Sequence, residues 1–168
     1  MVRIKNFGTV AMVATALWIL SACAGGQVEM EEIGTAVNPA EEVNRFDSEI
    51  SNAQKNQINV LAPTSFAKVE AYLNDAKEAL RSGDELSEIL ESIASGRDQL
   101  QHAEEMAQVA RTTLPNAIKA RKLARAAGAT TLGEDYVRVE EQFLKLTKAI
   151  ENNDLKYAQN NREKVAAA

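Results

Sequence analysis

The sequence holds one cysteine, one histidine and one tryptophan in 168 residues, with three prolines and only 5% aromatic residues. A single cysteine excludes a disulfide within the chain, because no second thiol exists to close it. One histidine and one thiol are too few for a His/Cys metal centre, which needs several converging ligands. Scarce aromatics limit the area each residue can bury, so slender helical packing is expected in place of a thick core. There is no glycine-rich phosphate loop, nucleophile elbow or triad pattern, so catalysis is not expected. Positive charge is scarce as well: the formal net charge is −5. Removing the N-terminal cations Arg3 and Lys5 would leave 17 basic against 24 acidic residues, or −7. That balance argues against nucleic acid as a partner. It also argues against an anionic membrane surface as a partner of the body, and it keeps an extended helical surface soluble.

Alanine is abundant, with 28 residues. Alanine gives up no side-chain entropy in a helix, so an Ala-rich chain with Leu, Glu, Lys and Arg predicts an all-α fold.

The lone cysteine stands in "ILSACAGG", Ile19 to Gly26, and its setting is informative. Arg3 and Lys5 form a positive start, Phe7 to Leu20 is an uncharged and mostly apolar run, and small residues follow. This is the three-part layout of an export signal. The rival is a transmembrane anchor, but Gly8, Thr9, Thr15 and Ser21 dilute the run below the about 20 apolar residues a span needs. Leu20-Ser21-Ala22-Cys23 resembles the lipobox of bacterial lipoproteins. In that family a dedicated peptidase cuts before the Cys, whose thiol is diacylated, so the resemblance implies a lipid on Cys23. Two or three acyl chains hold a protein at a membrane where one is marginal. Ala24 in the next position resembles lipoproteins sent to the outer membrane. The expected organisation is a signal peptide over 1–22, an acylated Cys and flexible tether over 23–38, and a helical domain over 39–168. The tether carries three glycines and no helical stripe.

Beyond it the apolar residues step by three and four. Asn38-Pro39 reads as an N-cap and first helical position. The first stripe is Val43, Phe46, Ile50, Ala53, Gln57 and Val60, ended by Ala62-Pro63. Thr64 or Ser65 should cap the next helix, with a stripe of Phe66, Val69, Leu73, Ala76 and Leu80 and a stop at Gly83. Asp84 should cap a third, long helix. Its seam is Leu86, Ile89, Ile93, Gly96, Leu100, Ala103, Ala107, Ala110, Leu114 and Ala117, a coiled-coil-like pattern. Pro115 should kink or break it near Arg111 to Leu114, with Thr113 as cap of a restarted helix. Gly128 should end that element, and Thr131-Leu132-Gly133-Glu134 reads as a capping box. The stripe Tyr136, Val139, Phe143, Leu146 and Ile150 follows, then a pause at "ENND" and a last helix. Short loops predict antiparallel hairpins in an elongated bundle.

Few residues invite chemistry. His102 lies off the seam and should be exposed and idle. Glu104-Glu105 and Glu140-Glu141 are adjacent on a helix and point about 100° apart, so neither is a catalytic pair. Lys119, Arg121, Lys122 and Arg125 put four cations in seven residues. They complement the negative end of a helix, or they contact an anionic surface. Arg121 also continues the seam, so it should end the buried stripe or pair with an acid across it. Tyr72, Met106 and Tyr157 stand off the main seams. No cofactor is expected.

"LAPTSFAKVEAYLNDAKEAL" (61–80), "LPNAIKARKLARAAGA" (114–129) and "FLKLTKAIENND" (143–154) resemble the Ala-rich helical N-terminal region of certain OmpA-family lipoproteins. There a C-terminal OmpA-like domain that binds peptidoglycan usually follows; the sequence ends at Ala168 without one. The murein lipoprotein offers a second likeness, an acylated Cys followed by heptads, but its wall-linked terminal Lys has no counterpart in "KVAAA". These resemblances imply a lipid-anchored spacer, scaffold or membrane-to-wall tether at the periplasmic face of the outer membrane. Peptidoglycan or an envelope protein would be its partner, and a homo-oligomer is compatible with the seam. The alternative is a docking module for an envelope protein or a hydrophobic ligand.

Overall fold

The structure, a computed structural model, describes residues 37–168. The expected signal, the lipobox residues Leu20, Ser21 and Ala22, Cys23 and most of the tether lie outside the described residues. Among the described residues there are seven α-helices, one 3₁₀ turn and no strand. The helices are α1 (Pro39–Lys55), α2 (Ile58–Leu61), α3 (Pro63–Ser82), α4 (Leu86–Thr113), α5 (Pro115–Ala126), α6 (Glu134–Glu151) and α7 (Leu155–Ala167). They pack as an all-α bundle. Helices α1, α3 and α4 pack on one another, while α7 packs against both α5 and α6. Helix α6 also meets α2, α3 and α4 and so joins the two groups.

Helix α1 starts as its sequence dictates: Asn38 Oδ1 accepts the Ala40 N–H at 3.1 Å and Pro39 occupies the first turn. Val43, Phe46, Ile50 and Ala53 are buried, but the stripe does not run on to Gln57. The helix stops at Lys55, and Gln57 turns left-handed at φ 62° with an exposed side chain. The chain re-enters as α2 one step out of phase, burying Ile58 and Leu61. Arg111 of α4 donates to the Asn56 carbonyl at 2.9 Å, so a cation from another helix satisfies the end of α1.

Two local caps expected elsewhere do not form, and the first is replaced in the same way. Thr64 and Ser65 do not cap α3. Pro63 fixes the helical φ one residue earlier, which places both inside the first turn. Their N–H groups donate to the Glu151 carboxylate at 2.9 and 2.7 Å. Asp84 does not cap α4 either. Its N–H closes the turn onto Ala79 O behind Gly83, which adopts φ 77°, and Glu85 becomes the cap residue. Leu86, at the ragged start of the seam, is left 41% exposed.

From Ile89 to Ala117 every seam residue is buried, and all are covered by helices of the same chain. Gly96 permits the closest approach: a Cβ there would stand 2.6 Å from Phe46 Cε1 and 3.0 Å from Tyr72 Cβ. Pro115 divides the seam into two helices. Leu114, between them, leaves helical geometry at φ −118°, ψ 37° while its side chain stays fully buried. Thr113 does not cap α5; its carbonyl instead accepts from Arg162 of α7 at 3.1 Å.

The expected capping box at Thr131 does not form. Gly128 (φ 83°) starts a 3₁₀ turn over Ala129–Thr131, and the Thr131 hydroxyl donates back to Gly128 O at 2.9 Å. Gly133 then precedes α6 with no side-chain cap. The pause at "ENND" holds. Asn153 is left-handed at φ 59°, and Asp154 accepts the Tyr157 N–H at 3.0 Å to start α7.

Candidate functional site around Arg121

Arg121 lies four residues beyond Ala117, so it continues the seam of α4 and α5 toward α6. It pairs with an acid across that seam. Its Nε and Nη2 donate to Glu140 Oε2 at 3.0 and 2.8 Å. The guanidinium also lies 5.4 Å from the centroid of the Phe143 ring, within cation–π range. The Tyr136 hydroxyl donates to the other Glu140 oxygen at 2.7 Å, and Arg125 approaches the Tyr136 oxygen at 3.4 Å. Arg121 and Arg125 are one turn apart on α5, as Tyr136 and Glu140 are on α6. Four side chains therefore form a ladder between two helices that both pack on α7 and are not closely packed on each other.

The Arg121–Glu140 pair at the centre of the ladder is largely withdrawn from water: the Arg121 side chain is 11% exposed and that of Glu140 28%. Burial pushes the Glu140 carboxyl up, but hydrogen bonds from Arg121 and Tyr136 outweigh it and hold the group below the usual carboxylate range. Burial, together with the bond to Glu140, raises the Tyr136 hydroxyl above its ordinary value. A carboxylate held ionised beside a phenol held protonated is suited to holding a shape or a ligand, and poorly suited to passing protons at neutral pH.

Three hollows meet at Arg121. One of about 240 Å³ lies between α5, α6 and α7, walled by Ala117, Ala120 and Ala124 on one side and Val139 and Phe143 on the other. The second, about 330 Å³, runs between α2 and α6 past Val60, Val137, Phe143 and Leu144. The third, about 380 Å³, is polar and lies between the α1–α2 turn and α5.

The four expected surface cations have different fates. Arg121 is half-buried in the ladder, Arg125 is exposed beside Tyr136, and Lys119 and Lys122 are exposed. Lys122 and Arg125 share the polar hollow with Arg121; Lys119 does not line it. His102 is exposed, Tyr72 and Met106 are half-buried, and Tyr157 is exposed. Sequence reasoning puts Tyr136 on the α6 stripe and sets Glu140 aside as half of a non-catalytic pair without joining the two, although their one-turn spacing is a usable signal. Gln57 reads as part of the buried stripe, and Gln54 and Asn59 give no signal, since their place beside α5 arises only from the turn after α1.

Elsewhere Arg97 of α4 holds Glu49 at 2.9 Å and Glu42 at 3.4 Å, and the Glu49 hydrogen bond is the main force raising its pKa. Among the described residues no group of three His, Cys, Asp or Glu could hold a metal, and no helix is long and apolar enough to cross a membrane. The chain matches no protein-family model, no curated protein and no solved structure.

Proposed function

We propose that this protein is a non-catalytic, lipid-anchored helical spacer or scaffold of a bacterial envelope. It is held at the periplasmic face of the outer membrane by acyl chains on Cys23 and reaches toward the cell wall or an envelope protein. The observation that carries this reading is the pairing of Leu20-Ser21-Ala22-Cys23 with a body organised along one long helix. Helix α4 has 28 residues, about 42 Å at 1.5 Å per residue. Its seam is already covered by the chain's own helices, which favours a rigid strut over a strand awaiting a second copy. The resemblance to OmpA-family lipoproteins supports the same reading.

The test is fractionation. Cys23→Ser should move the protein from the membrane to the soluble fraction or leave it unprocessed; a normally processed, membrane-bound variant would sink the anchor. Retention of crosslinked protein on detergent-washed sacculi until the wall is digested would assign the tether role. Release with the detergent would leave a scaffold.

A second reading, a docking module, is favoured by the hollows around Arg121 and by the exposed apolar side chains Leu132, Val137 and Leu144 beside them.

A further inference from the structure

The polar hollow beside α5 has an unusual lining. Lys122 and Arg125 line it together with Arg121, whose Nε and Nη2 are held by Glu140, and with Gln57, Asn59 and Gln54, whose Nε2 donates to Glu70. Among the described residues that line it there is no acid. That is notable on a chain whose net charge is −5. The Lys122 ammonium, the Arg125 guanidinium and the carboxamides of Gln57 and Asn59 can supply charge-assisted and neutral hydrogen bonds to the oxygen atoms of an anion.

Gln57 supports the reading. It holds φ 62° without being glycine, a backbone state that costs energy.

The apolar cleft between α2 and α6 continues from the same place. It shares Asn59, Val60 and Arg121 with the polar hollow and extends along Val137, Phe143 and Leu144. Val137 is 54% exposed and Leu144 38%, so the cleft offers apolar surface to a ligand. Its acids do not spoil the basic end: Glu140 is engaged by Arg121 and Tyr136, and Glu141 lines the cleft but not the polar hollow.

We propose that this continuous site binds a single-chain anionic amphiphile, its acidic head between Lys122 and Arg125 beside the paired Arg121 and its alkyl tail along Val60, Val137 and Leu144. The charge argument against an anionic membrane surface does not apply. A surface meets the field of the whole acidic body, whereas one captured head meets Lys122 and Arg125, with Arg121 already paired to Glu140. A cleft of about 330 Å³ lies near the lower limit of small-molecule sites and suits one chain better than two. The proposal deepens the docking reading and does not depend on the anchor.

The test titrates the full chain carrying Cys23→Ser with three probes below their micelle concentrations: dodecyl phosphate, dodecyl maltoside and inorganic phosphate. Dodecyl phosphate should bind at least about tenfold more tightly than either of the others. Its amide shifts should centre on Gln57, Asn59, Lys122 and Val137. Lys122→Glu should weaken it by about tenfold without lowering the melting temperature, and Val137→Asp should do so from the tail end. Equal binding of the maltoside would overturn the anionic head and leave a docking cleft. Equal binding of phosphate alone would overturn the tail. Shifts confined to the α5–α7 side, at Ala120 and Val165, would overturn the location. No binding of any probe would overturn both the proposal and a small-ligand role for the docking reading.

Discussion

The two ends of the bundle use small residues to opposite effect. Where α1, α3 and α4 meet, Gly96 faces the Phe46 ring, and the space a side chain would have filled is taken by its neighbour. Phe46, Phe66, Ile89 and Ile93 fill the core there, none more than 2% exposed. Where α5, α6 and α7 meet, Ala117, Ala120 and Ala124 form a comparable strip; Ala117 is covered, but Ala120 and Ala124 are only half-buried and a hollow of about 240 Å³ remains beside them. The Arg121–Glu140 bridge spans the gap that packing leaves open. A small residue in a helical seam therefore signals close contact only when the opposite helix supplies a large one. Otherwise it marks room for something else.

The largest test of this contrast is a pair of truncations. Phe46→Ala should cost about 4 kcal/mol, in the range for a fully buried aromatic. Phe143→Ala removes a ring of the same size that borders two hollows, and should cost about 2 kcal/mol less. Urea unfolding of both variants decides it; equal losses would mean that the two ends are packed alike. Next in size is Gly96→Ala. On an open helix the change would gain about 1 kcal/mol from propensity. Here the new Cβ meets Phe46 and Tyr72, so a net loss of about 1–2 kcal/mol is expected. A more stable Gly96→Ala would show that the Phe46 ring can withdraw.

The helical repeats were legible in the sequence because burial follows the 3–4 step. Nine of the ten seam residues from Leu86 to Ala117 are buried as the pattern requires, and so are Phe66, Val69, Leu73 and Ala76 in α3. Cys23 and its lipobox rest on the sequence alone. The helix ends were less legible. Reading for local caps named Asn38, which serves, and Thr64 or Ser65, Asp84, Thr113 and Thr131, which do not. In three places a charged side chain from a distant helix does that work: Glu151 at the start of α3, Arg111 at the end of α1 and Arg162 at the end of α4. The sign is right each time, acid at the positive end and cation at the negative end. Such partners lie 49 to 87 residues away, beyond any window in which a cap is sought. The same limit hid the site. Arg121 could be seen to need an acid, but only the fold chooses Glu140 over Glu141.

Glu151 allows the local and the distant cap to be separated. Glu151→Ala removes two hydrogen bonds to the first turn of α3 and should cost about 1–2 kcal/mol. Thr64→Ala, at an exposed position whose hydroxyl caps nothing, should stay within about 0.5 kcal/mol. The reverse order in thermal melts would restore Thr64 as the cap.

The smallest expected effect is also the most specific to the open end of the bundle. Glu140 is held below its ordinary value in the folded protein, so its ionised form favours the fold. The contribution is complete above the unfolded value of about 4.3 and is lost as pH falls through the lower folded value. Glu140→Gln keeps the shape and discards the charge. At pH 7 it should cost about 1 kcal/mol, since the carboxylate is partly exposed and bonded to both Arg121 and Tyr136. As the pH is lowered past about 4 the melting curves of wild type and variant should converge, because wild type loses the charge that the variant never had. Curves that stay parallel down to pH 3 would mean that the two open-end helices are held by shape, as at the Phe46 end, and not by the charge of the bridge.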